Sequence, residues 1–351
     1  MPRSPFRLFA VGAHACVATL FLACLPLGAD AGTLVRGTHA QYAIGEIDFP
    51  STVAAGKIVG IDAAGDMAGD GTEASDDDPD CVFYNGTTLL DFNQGSGNWC
   101  HFTGMNRHGV AVGQYYDFGL YENYAVLYAG GQFSEILGTA VDDLLALNDE
   151  NVAVANLALD GFAVYDLTTA KIGYKLYDPK EQCGITFPYA INDRGTVLAY
   201  DRCHDDRVRY ETITRGAFHY FHAPAGFTVT KHDGKPLFNG LDEIPVYAVG
   251  SGHVYLWSTS GGSAPVDLGT LPDDPAADYF ATVLTDRLAA GVTSDGRAWV
   301  WTAKAGMRDL ESLVPANSYG LITPEAADAR GDLGCVSSAN AFVWLYLRGS
   351  P

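Results

Sequence analysis

Short apolar runs broken by tight polar turns recur along the chain from residue 42 to residue 345. The clearest case spans residues 190–200, where one apolar run ends at Asn192, Asp193 and Gly195 follow, and a second apolar run begins. Asn and Asp side chains can bond the backbone two residues ahead, and Gly supplies the positive φ that closes a short loop. The pattern therefore predicts a β-hairpin.

The same hairpin recurs at a nearly constant spacing. Its Asn, Asp or Thr serves as a marker, and the seven markers are Asp62, Asn106, Asn148, Asn192, Asp242, Thr285 and Asp328. Successive markers are 44, 42, 44, 50, 43 and 43 residues apart. In the fifth copy Pro245 stands where the hairpin glycine is expected, and the sixth copy is one residue short. A period of this size indicates a repeat architecture.

A third strand is predicted after each hairpin, and each ends on an aromatic residue: 82–84, 126–128, 163–165, 218–220, 255–257, 299–301 and 342–344. A fourth strand follows a short turn, as at 89–92, 134–137 and 266–269. Four short strands per repeat form the blade of a β-propeller. We therefore predict an all-β, seven-bladed β-propeller over residues 32–351. The last repeat lacks a fourth strand, so we predict that residues 42–49 supply it and close the ring.

These motifs resemble the HAF-repeat extracellular proteins of bacteria. The resemblance is carried by the Ile-Asn-Asp-x-Gly hairpin, by Phe-x-Trp at 342–344 and by Asp-Leu-Gly-Thr-Leu at 267–271. The His-Ala-Phe tripeptide that names the family occurs only in degenerate form, at 216–218 and 340–342. The resemblance covers nearly all of residues 42–345. It implies export and repeat-built β structure, and it implies no particular activity.

The first 31 residues are typical of a secretory leader. Arg3 and Arg7 precede an apolar run, and Ala29-Asp30-Ala31 is an A-x-A cleavage site. Alternatives are an uncleaved anchor or a lipid on Cys24, although Phe21 stands where a lipobox prefers Leu. No later run approaches the ~18 apolar residues that span a bilayer. We expect a secreted, periplasmic or extracellular protein.

Charge narrows the set of partners. The formal net charge is −21. Cleavage of the leader would take away Arg3, Arg7 and Asp30 and change the net charge to −22. Such a charge repels nucleic acid and anionic lipid. The expected partner is an extracellular ligand, whether a glycan, a peptide or a cell-envelope component, met by a monomer.

Five cysteines remain after the leader. In an oxidising compartment we predict Cys81–Cys100 and Cys183–Cys203 disulfides, which would brace surface loops rather than the core. Cys335 lies in the apolar run 333–336 and is expected to be a buried free thiol.

Strand direction sorts the loops into two faces. We call the face that carries the first hairpin turns the bottom and the opposite face the top. The predicted top loops are longer and less uniform: 70–81, 93–101, 114–123, 177–188, 201–215 and 271–281. Irregular loops on a rigid scaffold often carry function. The candidate ligand residues there are Trp99, Tyr115, Tyr116, His204 and Arg209, with Phe118 and Tyr121 extending an aromatic platform.

Evidence for catalytic chemistry is sparse. The acidic run 70–80 lacks the ligand spacing of a calcium loop, and a solvated acidic loop is the favoured interpretation. His219 and His222 would point to opposite faces of a strand, which makes them poor joint metal ligands. No catalytic, cofactor or metal residue is predicted. The favoured function is an exported binding module. A propeller hydrolase or lyase acting on polysaccharide and a structural cell-surface component remain alternatives.

Overall fold

The structure is a computed structural model that describes residues 41–47, 49, 53–73, 79–92, 98–136, 141–158, 161–176, 186–202, 208–229, 237–315, 320–338 and 341–347. The predicted leader, Cys24, Cys183, Cys203 and His204 lie outside these ranges.

The described strands form seven four-stranded antiparallel sheets arranged as the blades of a propeller. Blade 1 is β2 (Val53–Ile61), β3 (Met67–Glu73), β4 (Pro79–Tyr84) and β5 (Leu89–Asp91), and blade 2 is β6 (Trp99–Met105), β7 (Ala111–Asp117), β8 (Glu122–Ala129) and β9 (Gln132–Glu135). Blade 3 is β10 (Val141–Leu147), β11 (Val152–Leu157), β12 (Gly161–Asp166) and β13 (Lys171–Lys175), and blade 4 is β14 (Thr186–Ile191), β15 (Thr196–Arg202), β16 (Val208–Thr214) and β17 (Ala217–Phe221).

Blade 5 is β18 (Phe227–Val229), β19 (Glu243–Ala248), β20 (Val254–Ser258) and β21 (Val266–Asp267), and blade 6 is β22 (Tyr279–Leu284), β23 (Leu288–Thr293), β24 (Ala298–Thr302) and β25 (Gly306–Asp309). Blade 7 combines β26 (Ile322–Ala327), β27 (Leu333–Ser337) and β28 (Phe342–Leu347) with β1 (Tyr42–Ile47). A 3-10 turn, Glu311–Leu313, follows blade 6.

The ring closes through the N-terminal strand, as the sequence predicts. β1 pairs antiparallel with β28, with Gly45 opposite Trp344 and Ile47 opposite Phe342. Tyr42, Ile44 and Ile47 are buried, so the added strand contributes to the core as well as to the hydrogen-bonded ladder. Pairing both edges removes two exposed templates for aggregation.

The core lies between neighbouring blades as a series of apolar clusters. One cluster joins Phe83 of blade 1 to Phe102 and Tyr128 of blade 2, and another joins Val254 of blade 5 to Trp299 of blade 6. Three of the aromatic ends of the third strands, Tyr128, Tyr165 and Trp257, are buried in these clusters. One prediction was wrong here: residues 218–220 lie in β17, the fourth strand of blade 4, because β16 precedes it as the third.

The fifth marker was also placed wrongly. Asn239, and not Asp242, accepts the N–H groups of Leu241 (3.0 Å) and Glu243 (2.9 Å), as the other markers do in their own turns. Asp242 occupies the position of the turn glycine, with φ of 59°. Pro245 lies further along in β19. The sixth turn is one residue short, as predicted, since Thr285 N–H bonds the carbonyl of Leu288.

The Cys81–Cys100 disulfide is present, and Cys335 is a buried free thiol. The expectation that this disulfide braces surface loops was wrong. Both half-cystines are fully buried on β4 and β6, inside the apolar cluster between blades 1 and 2. The bond therefore links neighbouring blades.

Candidate functional site

A belt of four buried asparagines, one in each of blades 2 to 5, follows the bottom of the central channel. The Nδ2 of Asn106 donates to the carbonyl of Asn148 (3.2 Å), and Asn148 donates to Asn192 (2.9 Å). Asn192 donates to Asn239 (3.2 Å), which donates to Thr285 (3.3 Å). Each Oδ1 accepts the N–H groups of its own turn, so one side chain both closes a hairpin and joins two blades.

An apolar ring lies directly above this belt. Every blade contributes the residue before its marker: Ile61, Met105, Leu147, Ile191, Phe238, Leu284 and Ala327. With the bottom turns, the ring encloses a cavity of about 360 Å³ that opens at the bottom of the channel. Its rim carries Arg107, Asp149, Asp193, Asp286 and Arg287. Burial raises the pKa of Asp149, and the backbone N–H of Arg107 opposes that shift.

One-residue bulges at the same position in six inner strands form the next level of the channel. In β6, Phe102 pairs with Gly113 and Gly104 with Val112, so Thr103 is the extra residue. The equivalent residues elsewhere are Val59, Leu145, Tyr189, Thr282 and Glu325. A bulge re-aims a side chain. Five of these six side chains line a second cavity of about 240 Å³, together with Lys57.

The bulged threonines tie neighbouring blades together. Thr103 Oγ1 bonds the carbonyl of Leu144 in blade 3, and Thr282 Oγ1 donates to the carbonyl of Pro324 in blade 7 (2.5 Å). Both acceptors immediately precede the bulged residue of the next blade. The sequence analysis missed this level because the bulge becomes visible only when the first two strands are paired.

The predicted aromatic platform divides over two faces of blade 2. Trp99 stacks on Tyr116 with ring centroids 5.6 Å apart, and Phe118 meets Tyr116 edge-on at 4.7 Å. Tyr115 lies on the other face, where its hydroxyl accepts from Asn98 Nδ2 (2.6 Å) and its ring lies near Tyr124. The hydroxyl of Tyr124 bonds Glu122, which raises the pKa of Tyr124 to about 12.

The turn beside this stack exposes three large apolar side chains. Phe118, Leu120 and Tyr121 are 41%, 62% and 78% exposed. The predicted loop 114–123 is mostly strand, and only residues 118–121 connect β7 to β8. Arg209 lies over the ring of Tyr220 at 5.0 Å.

The acidic run is partly built into the fold instead of being fully solvated. Asp70 lies in β3, where it accepts the N–H of Phe102 (3.0 Å) and pairs with His101 Nδ1 (2.5 Å). Asp80 is buried in β4, and residues 74–78 lie outside the described ranges. Among the described residues, no group of three or more His, Cys, Asp or Glu side chains is placed to hold a metal ion.

The described ranges contain no helix of the length and apolar character needed to cross a bilayer. No protein-family model and no curated protein matches the chain.

Solved structures of similar shape do exist. Virginiamycin B lyase from Staphylococcus aureus matches with a TM-score of 0.51 and 12% identity, over 87% of this chain and 99% of that one. The β-propeller domain of the Trilobed protease from Pyrococcus furiosus gives 0.53 and 9%, over 86% and 96%. YCF48 from Cyanidioschyzon merolae gives 0.50 and 9%, over 86% and 98%. At these identities, the similarity shows that the chain has the β-propeller fold and leaves its activity open.

Proposed function

We propose that this protein is an exported binding module that meets its ligand on the top of blade 2. The observation that carries the proposal is the exposed turn 118–121, where Phe118 packs on the Trp99–Tyr116 stack and Leu120 and Tyr121 are exposed beside it. Single exposed apolar residues are ordinary, but a contiguous exposed group marks an interaction surface. The leader predicted at residues 1–31 and the Cys81–Cys100 disulfide support export.

The turn is held in one conformation before any ligand arrives. Asp117 Oδ1 accepts the N–H groups of Gly119 (2.7 Å) and Leu120 (3.0 Å), and its carbonyl accepts that of Tyr121 (2.7 Å). Asn98 Oδ1 accepts the N–H of Phe118 (3.0 Å). A preordered surface loses little conformational entropy on binding, so more of the contact energy appears as affinity.

The chemistry of the surface favours flat or apolar ligands. Indole and phenol rings stack on the apolar faces of sugars and on the side chains of peptides. Asp117 and Glu122 flank the turn, and the whole chain is strongly acidic, so neutral or basic ligands are favoured over anionic ones.

The test is a screen of glycans, peptides and cell-envelope components against two variants of matched exposure. The double variant Leu120→Ser, Tyr121→Asn removes the top surface, and Asn tolerates the φ of 57° at position 121. Leu241→Ser is the control, because Leu241 is a 51% exposed leucine in a bottom turn. We expect the double variant to lose binding by at least about tenfold, equivalent to about 1.4 kcal/mol, while the control keeps it.

Loss of binding in Leu241→Ser with retention in the double variant would reject the top surface. The glycans should also be recovered and sized after incubation. Shortened products would support the hydrolase or lyase alternative and reject the binding module.

A further inference from the structure

The channel contains a second candidate site that is independent of the top of blade 2. Three successive levels of the channel can be compared across the repeats. The marker level is Asn, Asp or Thr in every blade, and the level above it is apolar in every blade. At the bulge level, the residues are Val59, Thr103, Leu145, Tyr189, Thr282 and Glu325. Each of the first two levels thus keeps to one class of residue, polar at the marker and apolar above it, whereas the third level varies in size, polarity and charge.

The varied level converges on the 240 Å³ cavity. Lys57 of blade 1 and Glu325 of blade 7 bring one positive and one negative side chain from neighbouring blades to its wall. Tyr189 of blade 4 lines it as well, with its ring stacked on Tyr200 at a centroid distance of 4.9 Å. Below them the cavity is bounded by the apolar ring, including Phe238 and Leu284.

A threonine adds a hydrogen-bond acceptor to the wall of the cavity. Thr282 Oγ1 donates its proton to the carbonyl of Pro324, which is the residue before Glu325. Its lone pairs can therefore only accept, and Thr282 and Glu325 both line the cavity. Acceptors from two residues of one small cavity suit an ammonium group. Lys57 is the matching donor for a carboxylate.

We propose that this cavity binds a small zwitterion of amino-acid size, with its ammonium at Glu325 and Thr282, its carboxylate at Lys57 and its apolar part on the ring. The cavity is smaller than the roughly 300–1,000 Å³ typical of sites for drug-sized ligands, which sets the size of the molecule. The bottom cavity shares Met105, Leu147, Ile191, Phe238 and Leu284 with it, so the bottom mouth is the route of entry.

Calorimetry with wild-type protein tests the charge pattern directly. The probes are leucine, isoleucine and phenylalanine, each compared with its N-acetyl derivative and its amide. We expect the free amino acid to bind at least about tenfold more tightly than either derivative, because each derivative removes one charge. Equal affinity for the three forms, or no binding of any of them, would overturn the proposal.

Variants then assign each charge to its partner. Lys57→Met should abolish the preference for the free acid over the amide and leave the preference over the N-acetyl form. Glu325→Gln should do the reverse. Lys304→Met, in the last turn of blade 6, and Glu311→Gln, in the 3-10 turn after it, are controls at exposed positions and should bind like wild type.

Two further results are decisive. If Lys57→Met and Glu325→Gln discriminate as the controls do, the site is wrong. If either fails to fold, as judged by circular dichroism, the wild-type comparison of derivatives still decides. The Leu120→Ser, Tyr121→Asn variant should bind the amino acid normally, which separates this site from the top surface.

Discussion

Blades 2 to 5 and the two blades at the closure of the ring carry the same hairpin with different chemistry. In blades 2 to 5 the marker is asparagine, and its amide donates to the next blade. In blades 7 and 1 the markers are Asp328 and Asp62. Their carboxylates accept the N–H groups of their own turns and have no proton to donate onward. The hairpin therefore needs only an acceptor, and bonding between blades is a separate task.

Other contacts join the blades that lack an asparagine. Between blades 1 and 2, these are the Cys81–Cys100 disulfide and the Asp70–His101 pair. Within blade 7, Arg330 bonds both Asp328 (2.8 Å) and Asp332 (2.6 Å), and Asp332 accepts the N–H of Leu347 at the end of β28 (2.9 Å), so the hairpin turn is fastened to the third strand of the same blade. The closure is thus built from specific side chains, whereas blades 2 to 5 repeat one device.

Deleting β1 should have the largest effect. Removal of residues 32–47 takes away the ladder with β28 and the buried side chains of Tyr42, Ile44 and Ile47. Each buried side chain contributes about 1.5–3 kcal/mol, so we expect a loss above about 5 kcal/mol and exposure of the β28 edge. Thermal unfolding and light scattering measure both. Deletion of residues 32–40, which stops before β1, is the control, and an equal melting temperature for the two deletions would refute the role of β1.

Alanine substitution at two equivalent turn glycines should have the second-largest effect on stability, and the two substitutions should differ. Gly65 has φ of 89°, and a methyl group there would overlap the Trp344 ring of blade 7. Gly195 has φ of 73°, and a methyl group there meets no atom within 4 Å. Both Ala variants incur about 1–2 kcal/mol of left-handed strain, but Gly65→Ala adds overpacking for a total of about 3–4 kcal/mol. Equal unfolding midpoints in urea would show that Trp344 moves aside freely.

Removing the disulfide should have the third-largest effect on stability. Cys81→Ala with Cys100→Ala removes a cross-link over a sequence separation of 19, for which the chain-entropy model gives roughly 3 kcal/mol. The measurement is chemical unfolding of the double variant. Cys335→Ala is the control for loss of a buried sulfur, since Cys335 is unpaired and burial raises the pKa of its thiol. If the control loses as much as the double variant, cross-linking is not the cause.

The sequence was sufficient for the fold because the hairpin chemistry is local. An Asn or Asp that bonds its own turn leaves a mark in every copy, and counting the copies gave seven blades and the strand that closes them. It failed at blade 5, where Asp242 takes the left-handed position that glycine usually fills, so the marker was read three residues late.

The candidate sites were harder to predict because they depend on pairing. Tyr115 and Tyr116 are neighbours in sequence, yet alternation along β7 sends them to opposite faces. The bulge level depends on one extra residue in each of six inner strands, and Lys57 and Glu325 reach one cavity only after the ring closes.

Exchanging asparagine and aspartate at the markers tests whether the bonds between blades stabilise the protein. The expected loss of stability is moderate. Asn192→Asp keeps the turn bonds to Arg194 and Thr196, but places a buried carboxylate against the Asn239 carbonyl and the Asp242 side chain. We expect a loss of about 2–3 kcal/mol. Asp62→Asn keeps the bonds to Ala64 and Asp66 and should change the free energy of unfolding by less than about 1 kcal/mol. Equal losses in denaturant titrations would mean that the belt contributes nothing beyond its turns.

The smallest effect expected is at Arg330, and its pH dependence is the informative part. Arg330→Met leaves the buried carboxylates of Asp328 and Asp332 without their cation, but Arg330 is 40% exposed, so we expect only about 1–2 kcal/mol at pH 7. Burial raises the pKa of Asp332 above its unfolded value, while Arg330 lowers it. A group with a raised pKa favours the folded state at low pH and loses that contribution as pH rises through the folded value. Without Arg330 the pKa of Asp332 rises further, so the difference in melting temperature between wild type and variant should be largest near pH 7 and shrink towards pH 4. Arg287→Met, at an exposed arginine in the blade 6 turn, should show no such trend. A difference that stays the same from pH 7 to pH 4 would mean that Arg330 contributes through packing and not through its charge.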